Sequence, residues 1–197
     1  TLKAIYLNAG QDCSAGSRLV IERNVHAAMM EKLVARTEAL SIDAGIHAPQ
    51  LGPLVSGGHR NSVSAYVDDD KARGVSVATG GGNVEIEGCE GGYFYAPTIL
   101  DDVAQEDAVV QEEIFGPVLS VQIVDTPEEA LSVANNTPFG LCAGIYTKDV
   151  TKAFRFARDI EAGQVFINQY FAGGVPTPFG GTKLSGFGRE KGLAALS

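Results

Sequence analysis

The chain has 197 residues, of which 45% are hydrophobic and 20% charged, a composition typical of a globular domain rather than a disordered or fibrous one. Its formal net charge is -9 at pH 7 and no run of Lys or Arg occurs, so we expect no nucleic-acid partner. No apolar run approaches the roughly 20 residues of a membrane helix and no secretory signal is evident, so we also expect no membrane association.

The first half of the chain is predicted to alternate between helices and strands. We expect helices over 1–9, 24–39 and 58–73, and strands over 17–22, 75–78 and 92–100. Asn24 is a suitable N-cap for the second helix. Ala28, Met29 and Leu33 share one face of that helix and are expected to point inward. Met29 and Met30 are interpreted as core packing.

The third predicted helix contains three consecutive carboxylates, Asp68–Asp70, that resemble a metal site at first sight. Consecutive residues of a helix point about 100° apart, so these three side chains cannot hold one ion together. We therefore predict a solvated face for Asp68–Asp70, with Val63, Tyr66 and Val67 on the inward face. The three histidines and three cysteines have no zinc-ligand spacing either, so no metal site is expected.

The second half continues the alternation of strands and helices. Strands are expected over 118–124, 141–146 and 164–168. Thr126 and Asp149 are predicted N-caps of two helices, the first ending near Asn135 and the second at Gly163. Ala153, Phe156, Ala157 and Ile160 are expected on the inward face of the second. Short apolar strands separated by helices predict one α/β domain, built on an open twisted, mostly parallel sheet flanked by helices.

Cys13 lies in a loop of small and polar residues, with Gly10 and Gly16 on either side. Small neighbours leave room for a substrate to reach the sulfur, and glycines let the main chain approach a ligand closely. Local chemistry leaves two interpretations open, a nucleophile and a buried structural cysteine. Cys89 and Cys142 are given no catalytic role, and three widely spaced cysteines favour a reducing cytoplasm over a disulfide framework.

Three segments of the chain carry a resemblance to a known family. They are Asn8–Arg18, with the pattern G-Q-x-C-x-A, Gln111–Val118, with the pattern E-E-x-F-G-P, and Pro178–Gly186. In this order they resemble the C-terminal catalytic-domain portion of the NAD(P)-dependent aldehyde dehydrogenase superfamily. The resemblance extends over residues 8–192 and implies the fold of that catalytic domain.

The resemblance also implies a site. Cys13 would attack an aldehyde through a thiohemiacetal and a thioester. Glu113 would bind the ribose hydroxyls of NAD or NADP, and Phe115 would pack near the nicotinamide. Asp12, Ser14 and Phe179 would line the substrate pocket. Asp12 is a departure from the usual motif. A carboxylate beside a thiol disfavours the thiolate if it points inward. The alternatives are that Asp12 points to solvent or that it biases the pocket towards polar or cationic aldehydes.

The same resemblance leads us to expect that residues 1–197 are a piece of a longer cytoplasmic enzyme, homo-oligomeric at full length. The oxyanion Asn, the Glu base and the N-terminal cofactor-binding domain belong to family segments before the cysteine motif, and an oligomerisation strand belongs at the far C-terminus. The isolated chain is therefore expected to lack sustained turnover. Two alternatives stay open: a non-catalytic, truncated or pseudo-enzyme domain, and a semialdehyde dehydrogenase that transfers the acyl group to coenzyme A.

Overall fold

A computed structural model describes residues 1–196. Its helices are α1 Leu2–Tyr6, α2 Arg23–Glu38, α3 Gly57–Ala72, α4 Ala108–Gln111, α5 Pro127–Asn135 and α6 Val150–Asp159. Its strands are β1 Arg18–Glu22, β2 Ser76–Thr79, β3 Asn83–Val84, β4 Phe94–Tyr95, β5 Thr98–Asp101, β6 Val118–Val124, β7 Phe139–Gly140, β8 Cys142–Ile145, β9 Gln164–Ile167 and β10 Thr182–Lys183. Short 3-10 turns cover Leu7–Gly10, Gly45–His47 and Leu193–Leu196. None of the helices in residues 1–196 is long and apolar enough to cross a membrane.

The chain divides into two units, Thr1–Thr126 and Pro127–Ser197. The first is built on a four-stranded sheet in the order β1-β6-β5-β2. The β1–β6 and β5–β6 pairs are parallel, and the β2–β5 pair is antiparallel. Helices pack on this mixed, mostly parallel sheet, which confirms the predicted α/β class.

Strand β6 lies at the centre of the first unit, and the structure confirms its predicted bounds. Val118 belongs to one hydrophobic cluster, which includes residues of α3 and α4. Leu119 and Val121 belong to a second cluster, which includes residues of α1 and α2. A strand that is apolar on both faces is typical of a sheet covered by helices on both sides.

Helix α2 differs from the prediction at its start and on its inward face. It follows β1 without a connecting loop, so its N-cap is Glu22, and the predicted cap Asn24 lies within the helix. The buried positions are Met30, Leu33 and Thr37, whereas Ala28 is exposed. Their spacing of three and four residues places them on one stripe, which confirms Leu33 as inward and Met30 as core packing, whereas the inward assignment of Ala28 is wrong.

The prediction of a solvated face for Asp68–Asp70 is wrong for Asp70, whose exposed fraction is 0%. Asp70 follows Val63 and Val67 along α3 and therefore continues their inward stripe. The Arg73 guanidinium donates to Asp70 Oδ1, but Asp70 Oδ2 has no hydrogen-bond partner within the described residues. Burial raises the pKa of this carboxyl, and Arg73 only partly offsets that effect.

The second unit contains a parallel β8–β9 pair and an antiparallel β7–β10 pair. The Asp149 cap of α6 is confirmed, since its Oδ1 accepts from Thr151 N at 2.8 Å and from Lys152 N at 3.1 Å. Ala153 is buried as predicted. The predicted end at Gly163 is wrong, because α6 stops at Asp159.

Candidate active site

The loop that carries Cys13 begins with three consecutive residues in the left-handed region: Asn8, Ala9 and Gly10 have φ values of 52°, 54° and 74°. Such conformations are costly for non-glycine residues and persist only where the surroundings fix them. Asn8 Nδ2 donates to Gln11 O at 2.8 Å, and Gln11 N donates back to Asn8 O at 3.1 Å. The Ala9 side chain is buried in the core. The backbone before Cys13 is therefore fixed both by these hydrogen bonds and by the packing of Ala9.

Gln11 ties this loop to the segment that precedes α3. Its Oε1 accepts from Val55 N at 2.8 Å, and its Nε2 lies 3.5 Å from Pro53 O and 3.2 Å from Asn8 O. Gln11 was not predicted as a functional residue, although it belongs to the G-Q-x-C-x-A pattern. That pattern was the only sequence signal for these two long-range bonds, because Pro53 and Val55 are 42 and 44 residues away from Gln11.

Gly10 brings the cysteine loop against the E-E-x-F-G-P segment. A Cβ at Gly10 would collide with the carbonyl carbon and oxygen of Gly116, so the two backbones touch. Gly116 is itself closely packed, because a Cβ there would come within 2.7 Å of Val63 Cγ2. These contacts place the loop of Cys13 beside the segment of Glu113 and Phe115, although Cys13 lies about a hundred residues before them.

Cys13 is exposed and is one of three free cysteines. Partial desolvation of its sulfur and then the charge of Asp12 raise the pKa of the thiol, and Glu113 adds a smaller effect in the same direction. The backbone N–H groups of Cys13 and Ser14 act in the opposite direction by stabilising the thiolate. The raised pKa favours the protonated thiol over the thiolate.

Asp12 and Ser14 form a local turn around the nucleophile candidate. Asp12 Oδ1 accepts from Ser14 N at 2.7 Å and from Ser14 Oγ at 2.6 Å. Ala15 N donates to Asp12 O at 3.0 Å and closes the turn. The Asp12 carboxylate is therefore fixed close enough to the sulfur to disfavour the thiolate, which is the effect expected of an inward carboxylate.

Glu113 and Phe115 lie in the segment between α4 and β6. Glu113 is exposed and makes no hydrogen bond or ion pair with the residues that the structure describes. Phe115 is 37% exposed and has a φ of 55°. A free carboxylate can accept hydrogen bonds from a vicinal diol, and an exposed ring offers an apolar face beside it. The pair thus fits a ribose and a flat heterocycle.

Phe179 lies in the second unit, in the loop that leads to β10. Its backbone forms a two-way bridge with Glu190, and both N–H···O distances are 2.7 Å. The ring is partly buried, with Lys191 Nζ 5.2 Å from its centroid. The residue after Phe179, Gly180, packs closely against Gly163, because a Cβ at position 163 would collide with Gly180 O. Phe179 is thus held rigidly within its own unit.

The other candidate groups give no second site. Cys89 and Cys142 are partly exposed, and Cys142 Sγ lies 3.9 Å from Gln164 Oε1. Over residues 1–196, no group of three or more His, Cys, Asp or Glu side chains is arranged to hold a metal ion.

Comparison with known proteins gives a consistent result over the whole chain. The model of the aldehyde dehydrogenase family matches residues 1–197. Betaine aldehyde dehydrogenase of Brucella anthropi is 42% identical over 193 residues, which are 98% of this chain and 40% of that protein. The enzyme of the same name from Sinorhizobium fredii is 44% identical over 193 residues, covering 98% of this chain and 39% of that protein.

Two solved structures have the same fold. Betaine aldehyde dehydrogenase of Staphylococcus aureus, in complex with NAD+, matches with a TM-score of 0.93 and 35% identity over 99% of this chain and 39% of that one. A variant aldehyde dehydrogenase of Bacillus cereus matches with a TM-score of 0.94 and 38% identity over 99% and 39%. The chain spans about 40% of the length of the curated relatives it matches.

Proposed function

The chain belongs to the aldehyde dehydrogenase family, and from that premise we propose that the protein containing it oxidises an aldehyde to a carboxylic acid with NAD+ or NADP+, using Cys13 as the nucleophile. One observation carries the proposal: the contact between Gly10 and Gly116 joins the Cys13 loop to the segment with Glu113 and Phe115. This contact supports the proposal, because it joins the loop of the proposed nucleophile to the segment proposed to contact the cofactor.

The proposed reaction begins at the Cys13 sulfur. The thiol gives its proton to a base, Sγ bonds to the carbonyl carbon, and the carbonyl electron pair moves to oxygen. The Cys13 N–H, which favours negative charge at this point, is suited to stabilise the oxyanion of the thiohemiacetal, together with an Asn side chain that the resemblance places before the cysteine motif. Loss of hydride from the same carbon yields a thioester on Cys13. Water then adds, the C–S bond breaks, and the acid and the thiol are released.

The cofactor supplies one function in this scheme: when bound, NAD(P)+ accepts the hydride with its electron pair. Glu113 is proposed to accept hydrogen bonds from the ribose hydroxyls, and Phe115 to pack beside the nicotinamide. Both side chains are exposed and lie in the segment that contacts Gly10, which supports these roles. The base that activates water is expected from a part of the full-length protein before the cysteine motif, as the resemblance implies.

We further propose that the aldehyde is cationic. Besides desolvation, which is the largest cause, the charges of Asp12 and Glu113 raise the pKa of the Cys13 thiol, so these two carboxylates make the potential at the sulfur more negative. That potential disfavours the thiolate but attracts an aldehyde that carries an ammonium group. Betaine aldehyde, named in the relatives, has a trimethylammonium group, which is consistent with this charge pattern.

The test uses the full-length protein and a matched pair of substrates. Betaine aldehyde and its neutral isostere 3,3-dimethylbutanal differ mainly in charge, so the ratio of their kcat/KM values, measured by NADH formation, isolates the electrostatic contribution. We expect the cation to be preferred and Asp12→Asn to reduce the preference several-fold. Equal kcat/KM values for the two substrates would contradict the proposal that the aldehyde is cationic. If neither these substrates nor other short aldehydes gave an acid product, the proposal of aldehyde oxidation would be contradicted.

Analysis of the products separates the remaining alternatives. Hydrolysis gives the free acid whether or not coenzyme A is present, whereas an acyl-transferring enzyme gives an acyl-coenzyme A. A non-catalytic domain would give neither product. It would also show no preferential labelling of Cys13 over Cys89 and Cys142 by iodoacetamide, as mass spectrometry of the digested protein would reveal.

A further inference from the structure

Three side chains on one face of α3 contact the segment Glu112–Gly116. Tyr66 donates its hydroxyl to Glu112 Oε2 at 2.6 Å. Val63 packs against Gly116 so closely that no side chain could be accommodated there. His59 Nε2 lies 2.8 Å from Phe115 O. The spacing of four and three residues between these side chains places them on one stripe of the helix, directed at the proposed cofactor-binding segment.

Phe115 has the most demanding conformation in that segment. Its φ of 55° is unusual for an aromatic residue, and its ring is 37% exposed, so burial of the ring does little to fix it. The neighbours Ile114 and Gly116 are buried and hold the chain on either side. The backbone carbonyl of Phe115 is hydrogen-bonded to the His59 ring.

We propose that His59 is a positioning residue: its Nε2–H donates to Phe115 O and holds the Glu113–Phe115 turn in the conformation that receives the cofactor. The role of that turn rests on the proposed function, whereas the hydrogen bond does not. The proposed catalytic steps do not use His59, and its spacing from the cysteines is not that of a zinc ligand.

The placement of His59 is itself fixed by the helix start. Ser56 is the N-cap of α3, and its Oγ accepts from His59 N at 3.1 Å. The rings of His59 and Phe115 also meet edge to face, with centroids 6.4 Å apart and an interplanar angle of 61°. The partner atom is a carbonyl oxygen, which can only accept, so His59 carries its proton on Nε2 in this bond.

Two variants of the full-length protein separate the hydrogen bond from the ring contact. His59→Phe keeps an aromatic ring and loses the donor, whereas His59→Gln loses the ring and keeps an N–H at a similar reach. Asn61→Ala, at an exposed position in the same part of α3, is the matched control. Three quantities are measured: the Kd for NAD+ from quenching of intrinsic fluorescence, hydrogen exchange of peptides covering 110–118, and the kinetic constants for NAD+ and aldehyde.

We expect His59→Phe to raise the Kd and the KM for NAD+ about tenfold, the size of a lost hydrogen bond, and to speed exchange in the 110–118 peptides. The KM for aldehyde and the rate of Cys13 alkylation should stay near wild type, because the cysteine loop contacts this segment at Gly116, whereas the hydrogen bond of His59 is to Phe115 O. His59→Gln should recover most of the NAD+ affinity, and Asn61→Ala should match wild type.

Unchanged exchange in His59→Phe would overturn the positioning role, as would a His59→Gln variant no better than His59→Phe. The exchange measurement needs neither cofactor nor turnover. If the wild-type protein oxidised no aldehyde and bound no NAD+ while His59→Phe still loosened the 110–118 peptides, the proposed function would fail and the hydrogen-bond role of His59 would stand.

Discussion

The pKa of the Cys13 thiol is subject to two opposing effects. Desolvation and the Asp12 carboxylate raise the pKa of the thiol, while two backbone N–H groups favour the thiolate. A nucleophile kept largely protonated at neutral pH is protected from adventitious oxidation and depends on deprotonation when substrate is bound. The reactivity of Cys13 is therefore set by its neighbours as much as by its exposure.

Asp12→Asn tests this balance directly. The amide keeps an oxygen for the Ser14 N–H but removes the charge, so the pKa of Cys13 should fall. Alkylation of Cys13 by iodoacetamide at pH 7 should become several-fold faster, and its rise with pH should begin at lower pH. The exposed Asp68→Asn, in which a carboxylate on α3 is neutralised, is the control and should leave the rate unchanged. A slower reaction or an unshifted profile in Asp12→Asn would contradict the account.

At the level of elements, the site depends on how closely two loops approach. Gly10→Ala places a methyl group into the Gly116 carbonyl and forces alanine to a φ of 74°. We expect a loss of roughly 2 kcal/mol or more in the free energy of unfolding, together with loss of activity. Gly45→Ala is the matched control, because a Cβ there meets nothing within 4 Å.

Thermal or denaturant unfolding of the full-length protein measures the difference. The Gly45→Ala variant should stay within about 0.5 kcal/mol of wild type. If Gly10→Ala were equally stable and equally active, the close contact between the Cys13 loop and Gly116 would not be required for the site.

Asp70 gives helix α3 a dependence on pH. Burial raises the pKa of Asp70 in the folded state, so the folded protein binds its proton more tightly than the unfolded chain does. The stability contributed by the protonated form is present below the ordinary carboxyl pKa and is lost as pH rises through the raised pKa. Asp70→Asn should remove this loss of stability at higher pH, because the amide does not ionise. Arg73 would keep its ion pair with Asp107, at 3.2 Å.

The expected result is an unfolding midpoint of Asp70→Asn that equals wild type near pH 4 and exceeds it at pH 8. Asp69→Asn, at the exposed neighbouring position, should show no such difference. A variant that lost stability more at pH 8 than at pH 4 would mean that the ion pair with Arg73 outweighs the burial of Asp70.

The sequence predicted correctly those elements whose start, end or burial is determined by residues close together in the chain. The apolar run of β6 and the Asp149 cap of α6 were predicted correctly because their signals lie within a few residues. Asp70 was misassigned because its burial depends on the core that α3 packs against. His59 and Gln11 were missed because their partners, Phe115 and Val55, are distant in sequence and only the fold brings them close.

At the level of the whole molecule, we propose that the chain carries one part of a larger catalytic apparatus. It spans about 40% of the length of the curated relatives it matches. The isolated polypeptide should therefore form no NADH at a steady rate with short aldehydes, even where Cys13 is alkylated readily. Steady turnover by residues 1–197 alone would contradict the proposed division of the machinery.

The most direct test of the central claim compares three single substitutions in the full-length protein. Cys13→Ser should lower the rate of NADH formation with betaine aldehyde by about a thousandfold or more, because a hydroxyl is a far poorer nucleophile at neutral pH. Cys89→Ser and Cys142→Ser should keep wild-type rates, since neither sulfur lies in the proposed site. A Cys13→Ser variant that oxidised the aldehyde at the wild-type rate would contradict the account.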